Sequence, residues 1–209
     1  MKRIVFATSS NFKIQEHQIF CEKKYFEGKP VNQVFDLEVM NVEIPEILEV
    51  DLTKMVEHEV KLAYKQLKVP CFVEHAGLIF EEFLAGGYPG GLTKPMYNAL
   101  GTEFISGTHS KGKKAIARAV IGYCDGKEIK HFIGETLGII SNEPKGEREF
   151  YWDTIFIPDG QKDNLKKTYA QIVKNDGLDS KVLNFSQSTK AKLAFLNSIH
   201  NQQLSDLWK

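Results

Sequence analysis

The run CFVEHAGLIFEEFLAGGYPGGLTK, Cys71 to Lys94, carries the reading of the whole chain. Cys71-Phe72-Val73 follows Pro70 as a short apolar run and predicts a buried strand. Glu74-His75-Ala76-Gly77 then falls at that strand's end, where α/β sheets set their ligands. An acidic and apolar segment, Leu78 to Leu84, leads into Gly86-Gly87-Tyr88-Pro89-Gly90-Gly91. Four glycines around one proline make a turn whose backbone can approach a ligand closely. Lys94 stands just beyond it. Two ionisable side chains, a close-approach loop and a lysine predict a site for a phosphate or a metal-bound anion.

On the N-terminal side, Leu52, Val56, Val60, Ala63 and Leu67 step by four, four, three and four. That spacing predicts an amphipathic helix, with Asp51 at its start and Lys65 and Lys68 at its end, as the helix dipole prefers. Val31 to Val42 alternates loosely and predicts a strand, ended by Glu43-Ile44-Pro45-Glu46. Strand, helix and strand make a crossover unit. Arg3 to Ala7 predicts a first buried strand. Thr8-Ser9-Ser10-Asn11 after it is N-cap chemistry. Phe12 to Glu27 predicts a helix, with Ile14, Ile19, Phe20, Cys21 and Tyr25 as its stripe. Lys13 falls in the first turn, where a cation opposes the helix dipole and is either solvated or faces a bound anion.

On the C-terminal side, Ala115 to Cys124 and Lys127 to Ile140 flank Asp125-Gly126, a two-residue hairpin signal. Tyr97 to Lys114 is too interrupted by glycine to assign. Phe150-Tyr151-Trp152-Asp153 is either core or a platform for a planar ring. Thr189 to the end predicts a helix with Leu193, Leu196, Ile199 and Leu207 on one side. Lys+Arg and Asp+Glu number 27 each, so no global field draws in a nucleic-acid polymer or a membrane surface. Three cysteines without a CxxC pair indicate neither a disulfide framework nor a zinc site. No apolar run reaches the roughly 20 residues of a membrane helix, and the expected address is the cytoplasm.

In order along the chain, these segments resemble the motifs of the inosine triphosphate pyrophosphatase family. Its T-G-N-x-x-K-x-x-E is similar to Thr8 to Glu16, its L-P-E to Ile44-Pro45-Glu46, and its V-E-D-T/S-G-L to Val73 to Leu78. Its G-x-P-G is similar to Gly87 to Gly90, and its P-R-G…F-G-[YW]-D to Pro144-Lys145-Gly146 and Phe150 to Asp153. Its T-[FY]-A-E is similar to Thr168 to Gln171. The departures are specific. Ser10 or Asn11 replaces the asparagine of the first motif. His75 replaces the aspartate after Glu74. The late K-N-x-x-S-H-R signature is reduced to Ser186-Gln187-Ser188, its lysine position falling on Val182 beside Lys181.

The resemblance implies an α/β fold, a mixed twisted central sheet with flanking helices in two lobes around a cleft, as one domain over 1–209. It implies hydrolysis of an inosine- or xanthosine-type nucleoside triphosphate to monophosphate and pyrophosphate with Mg²⁺ (or Mn²⁺), in a homodimer. Glu46 and Glu74 match the metal carboxylates. Thr8, Ser9, Ser10, Asn11, Lys13, Lys94, Phe150, Trp152, Asp153, Gln187 and Ser188 match substrate-contacting positions. Lys13, Glu74 and His75 are the catalytic candidates. An imidazole is a poor Mg²⁺ ligand but can act as a general base. It either retunes the activity or leaves a non-catalytic nucleotide-binding or scaffold protein. Returning aspartate to position 75 is then expected to raise Mg²⁺-dependent turnover if only the metal site has drifted.

Overall fold

Residues 3–147, 151–162 and 165–206 are described, with side chains as far as 202, in a computed structural model. Phe150 and Leu207 lie outside the described residues. The first strand, β1 (Arg3–Ala7), is buried from Ile4 onward. It delivers the chain to Ser10, which caps α1 (Asn11–Lys23) by accepting from the Lys13 N–H at 3.5 Å. This helix is shorter than the sequence suggested. It buries His17 and Phe20, while Tyr25 is 63% exposed in a small hairpin of β2 (Tyr25–Phe26) and β3 (Lys29–Pro30). The reason is the turn between them, where Glu27 and Gly28 both take positive φ. The expected strand at Val31 to Val42 divides into one helical turn, α2 (Val31–Val34), and β4 (Asp36–Met40).

The crossover helix α3 (Leu52–Leu67) matches its periodicity, with Asp51 accepting from the Thr53 N–H at 2.8 Å as N-cap. The next strand, β5 (Cys71–Phe80), is longer than the sequence indicated. Glu74 and His75 lie in mid-strand, not at its end. A 3₁₀ segment (Glu81–Gly86) and β6 (Pro89–Gly90) follow. The glycine loop folds against its own chain instead of standing open. A Cβ at Gly90 would meet the Val50 carbonyl, and one at Gly91 the Met55 sulfur. The segment that resisted assignment holds α4 (Thr93–Leu100) and α5 (Thr102–Gly107).

The hairpin of β7 (Lys114–Cys124) and β8 (Ile129–Ile140) is present. Its turn has four residues, Asp125 to Glu128, not two. Asp125 Oδ1 accepts from the N–H groups of Lys127 and Glu128 at 2.9 and 3.1 Å, an Asx turn that fixes the wider loop. A 3₁₀ turn (Tyr151–Thr154) precedes β9 (Phe156–Pro158). α6 (Tyr169–Asp176) opens on a capping box between Thr168 and Gln171. Then come α7 (Leu178–Ser180), a π-helical turn (Lys181–Phe185) and α8 (Gln187–Asp206), which begins two residues before its predicted start. No helix among the described residues is long and apolar enough to cross a membrane.

The sheet runs β4-β1-β5-β7-β8-β9, with β6 on the same edge of β5 as β1. β4, β1 and β5 are parallel; β5, β7, β8 and β9 alternate in direction. Side chains alternate between the two faces of β5. Cys71 and Val73 pack with α3 on one face, and Phe72 packs with Phe195 of α8 on the other. Gly134 lets α8 sit directly on β8, because a Cβ there would run into the backbone of Gln187 and Ala191. Gly134→Ala is expected to cost about 1–3 kcal/mol by overpacking. Urea unfolding checks this; an unchanged midpoint would mean that α8 is not seated as described.

One feature of this topology positions the site. β1 pairs with β5 only through Val5↔Cys71 and Phe6↔Phe72, and β6 joins the same edge only at Leu78 and Ile79. The β5 backbone between is left without a neighbouring strand on that edge. That opening, past the end of β1 and beside the first turn of α1, is where an open α/β sheet has room for a ligand.

Candidate active site

Lys13 fills part of the opening. Its Nζ donates to the Glu74 carbonyl oxygen at 2.6 Å, a group that a strand neighbour would otherwise occupy. Thr8 Oγ1 accepts from the Ser10 N–H at 3.2 Å and holds the turn into α1. Thr8, Ser9, Ser10, Lys13, Glu46 and Glu74 all border a small cavity of about 50 Å³. A larger one, about 220 Å³, shares Ser10, Lys13 and Glu46 with it and extends to His75, Lys94 and Tyr151. The Lys94 ammonium lies 4.7 Å from the centre of the Tyr151 ring. Two lysines thus face one cleft. Asn11 is the first helical residue, is exposed, and borders neither cavity.

Two acidic side chains converge on His75. Its Nε2 is 2.8 Å from Glu59 Oε1 and 3.8 Å from Glu46 Oε1. The Glu59 contact is an ion-pair approach between buried groups without hydrogen-bond alignment. None of the sequence motifs contains Glu59. Yet it stands three residues after Val56 and four before Ala63, a charge inside an apolar stripe, and only 5% exposed. That position was its signal.

Glu74 points to the opposite face. Ser188 Oγ donates to its Oε1 at 2.8 Å, and Lys192 Nζ lies 3.3 Å from its Oε2. Burial works against the Glu74 charge, but Lys192, Lys13 and Ser188 outweigh it and hold the carboxyl below its ordinary range. Gln187 is also buried, its Oε1 accepting from the Tyr169 hydroxyl at 3.1 Å. Gln187 and Ser188 therefore tie α8 to the core and line none of these cavities. Trp152 is core as well, 1% exposed and packed against Phe156 and Tyr169, with an edge on the 220 Å³ cavity.

The Mg²⁺ that the resemblance implies does not fit Glu46 and Glu74 as they stand. Mg²⁺ wants carboxylate oxygens around an open octahedral position. Here the Glu74 carboxylate is taken by Ser188 and Lys192, while Glu46 approaches the His75 ring nitrogen. Among the described residues no three acidic, His or Cys side chains are arranged to hold a metal.

A third cavity, about 280 Å³, is lined by Phe12, Gln15, Glu16, Asp153 and Lys181 among others. Lys181 Nζ sits between Asp153 Oδ2 at 2.5 Å and Glu16 Oε1 at 2.9 Å, all three groups nearly buried. Burial alone would strip the Lys181 proton, but Asp153 and Glu16 hold the ammonium well above its usual range. One ammonium does not neutralise two carboxylates. Burial pushes Asp153 up to about 6 despite Lys181, with the charge of Glu16 adding to the rise. Among the described residues, the buried Asp153 Oδ1 has no hydrogen-bond partner. The motif spacing pointed to Val182, which is 1% exposed in the core. The chain has one residue more between Lys181 and Ser186 than the signature allows. The π-helical turn absorbs it through the bond from the Ser186 N–H to the Lys181 carbonyl at 3.0 Å.

The model of the Ham1 family matches residues 4–177. The chain is 31% identical over 173 residues to the dITP/XTP pyrophosphatase of Methanopyrus kandleri, covering 80% of this chain and 86% of that one. It is 32% identical over 178 residues to the inosine triphosphate pyrophosphatase of Kluyveromyces lactis, covering 83% and 86%. Among solved structures, the Ham1 protein of Staphylococcus aureus superposes with a TM-score of 0.66 at 20% identity, over 96% of this chain and all of that one. That likeness speaks for the fold alone.

Proposed function

The chain belongs to the Ham1 family, and from that premise we propose that it hydrolyses a non-standard purine nucleoside triphosphate to its monophosphate and pyrophosphate. The observation that carries the reading is a cleft faced by Lys13 and Lys94, with a separate cavity at the same helix that holds Glu16, Asp153 and Lys181. A triphosphate needs fixed cations, and those lysines supply them. The N-terminus of α1, the positive end of its dipole, lies beside Lys13.

In the reaction, water oxygen bonds to the α-phosphorus. The bond from that phosphorus to the oxygen bridging the β-phosphate breaks, and pyrophosphate leaves with the electron pair. The His75 imidazole takes the water proton, and the Glu59 carboxylate beside it stabilises the imidazolium that forms. Glu46 stands on the open side of the same ring.

The base enters the cavity of Glu16, Asp153 and Lys181. Asp153 Oδ1, without a partner among the described residues, calls for an N–H donor, and the Lys181 ammonium suits a neighbouring keto oxygen. Inosine and xanthosine offer that pair, whereas adenine presents an acceptor at N1. A homodimer belongs to the same proposal, and exposed Ile133 and Leu137 on β8 give it apolar surface.

A pyrophosphate-release assay across purine and pyrimidine triphosphates tests the reading. Inosine and xanthosine triphosphates are expected to exceed ATP by at least about 100-fold, because ATP leaves buried polar groups unpaired. Background rates with every nucleotide would instead favour a non-catalytic binding protein.

A further inference from the structure

Lys192 carries a buried charge that the proposed reaction does not use. It is 3% exposed and lies 5.5 and 5.7 Å from the ring centres of Phe6 and Phe20, deep between α8 and the sheet. It lines none of the cavities around the site. Its ammonium approaches Glu74 Oε2, and Ser188, four residues earlier on the same helix face, donates to Oε1. Position 188 is where the late signature carries arginine. The chain has serine there and a lysine one turn later.

Glu74 therefore has two cations within reach. Lys192 meets its carboxylate, and Lys13 meets only its carbonyl oxygen. A buried carboxylate without a counter-charge draws in the nearest available cation. For Glu74 that cation is Lys13.

We propose that Lys192 is a positioning residue: it neutralises Glu74 from behind the sheet, and so leaves the Lys13 ammonium free to bind phosphate in the cleft. The cation of the signature has moved from position 188 to position 192. Without it, the Glu74 carboxylate captures Lys13. The proposal rests on the triphosphate-site reading given above.

The test uses inorganic tripolyphosphate, which reports the phosphate subsite without base or turnover. Calorimetric titration of the full chain is paired with a thermal melt of each variant. Lys192→Gln keeps a donor towards Glu74 but removes the charge. It is expected to weaken tripolyphosphate binding about tenfold, the scale of losing one charge-assisted contact, although Lys192 cannot touch the ligand. Two different rescues are expected. Glu74→Gln in the same chain removes the carboxylate that captures Lys13, and Ser188→Arg returns the cation one turn earlier. Each is expected to bring affinity back to within about threefold of the parent.

A merely structural ion pair gives another pattern. Lys192→Gln then lowers the melting temperature and leaves the affinity of the folded protein unchanged, and the inference falls. If Lys192→Gln does not fold, the Lys192→Gln/Ser188→Arg chain decides. Parent-like affinity supports relocation of the charge, and weakened affinity in a folded chain overturns it. A parent that neither binds tripolyphosphate nor releases pyrophosphate overturns the triphosphate reading itself, and this inference with it. A parent that binds, with a variant that binds equally well, overturns this inference alone.

Discussion

Lys181→Met is expected to cost about 3–5 kcal/mol of stability, because it leaves two buried carboxylates without their shared cation. For a chain of this size that is a fall of roughly 10 °C in melting temperature. Glu16 and Asp153 both contact the ammonium, and both are nearly buried. The loss is also expected to depend on pH in a fixed direction. With the cation gone, burial and the neighbouring Glu16 charge are no longer opposed, and the folded pKa of Asp153 stands further above its unfolded value. A raised folded pKa gives stability that is present below the unfolded pKa and lost as pH rises through the folded one. The variant should therefore come closest to the parent near pH 4–5 and fall furthest behind near pH 8. Asp153→Asn in the same chain should return part of the stability at pH 8. Pyrophosphate release should drop by at least about 100-fold for inosine triphosphate and much less for ATP, since a donor to the keto oxygen has been removed. Melts from pH 4 to 8, with rates at pH 8, check each point. A uniform loss across pH would show that the two carboxylates do not share the ammonium.

The position of Lys181 also shows where the sequence was legible and where it was not. Local patterns gave β1, α3 and the β7–β8 hairpin, since each rests on near-neighbour periodicity or a turn signal. The order of motifs gave the family, and with it the cleft residues Lys13, Lys94, Glu46 and His75. Three things were hidden. A π-helical turn shifts the signature lysine by one residue, and nothing in the residues 181–186 announces such a turn. The length of β5 was hidden because Glu74 and His75 look like an end to an apolar run. They are buried only because α8 and α3 bring partners to the two faces. The direction of Glu74 was hidden for the same reason, and with it the misfit of Mg²⁺. One signal does stand in the helix stripes. Glu59 and Lys192 are both charges set within the apolar stripes of their helices, next to residues that are fully buried. A lone charge at a stripe position is costly unless something distant pairs with it. Here both partners lie on β5, one residue apart, on opposite faces.

His75→Asp is expected to lower turnover by roughly 100-fold or more, the usual contribution of a positioned base. From the sequence alone this change looked like a repair, because it restores the aspartate of the motif. The geometry reverses that expectation. An aspartate at 75 would sit beside Glu59, which is 5% exposed and has His75 as its ion-pair partner. Two buried carboxylates at that separation repel, and one is forced to keep a proton. Stability should fall as well, because Glu59 loses its counter-charge and gains a like-charged neighbour in a buried site. A second substitution separates the two effects. Glu59→Gln in the His75→Asp chain removes the repulsion and should return the melting temperature to near that of the parent. It does not return the imidazole, so turnover should stay low. Glu59→Gln alone keeps the base and loses the charge that stabilises its protonated form, and a smaller fall of about tenfold is expected at unchanged KM. The measurements are kcat, KM and melting temperature for the three variants at pH 8. Should His75→Asp turn over faster than the parent while Glu59 is intact, the imidazole is not the base, and the pairing of Glu59 with His75 has no part in the chemistry.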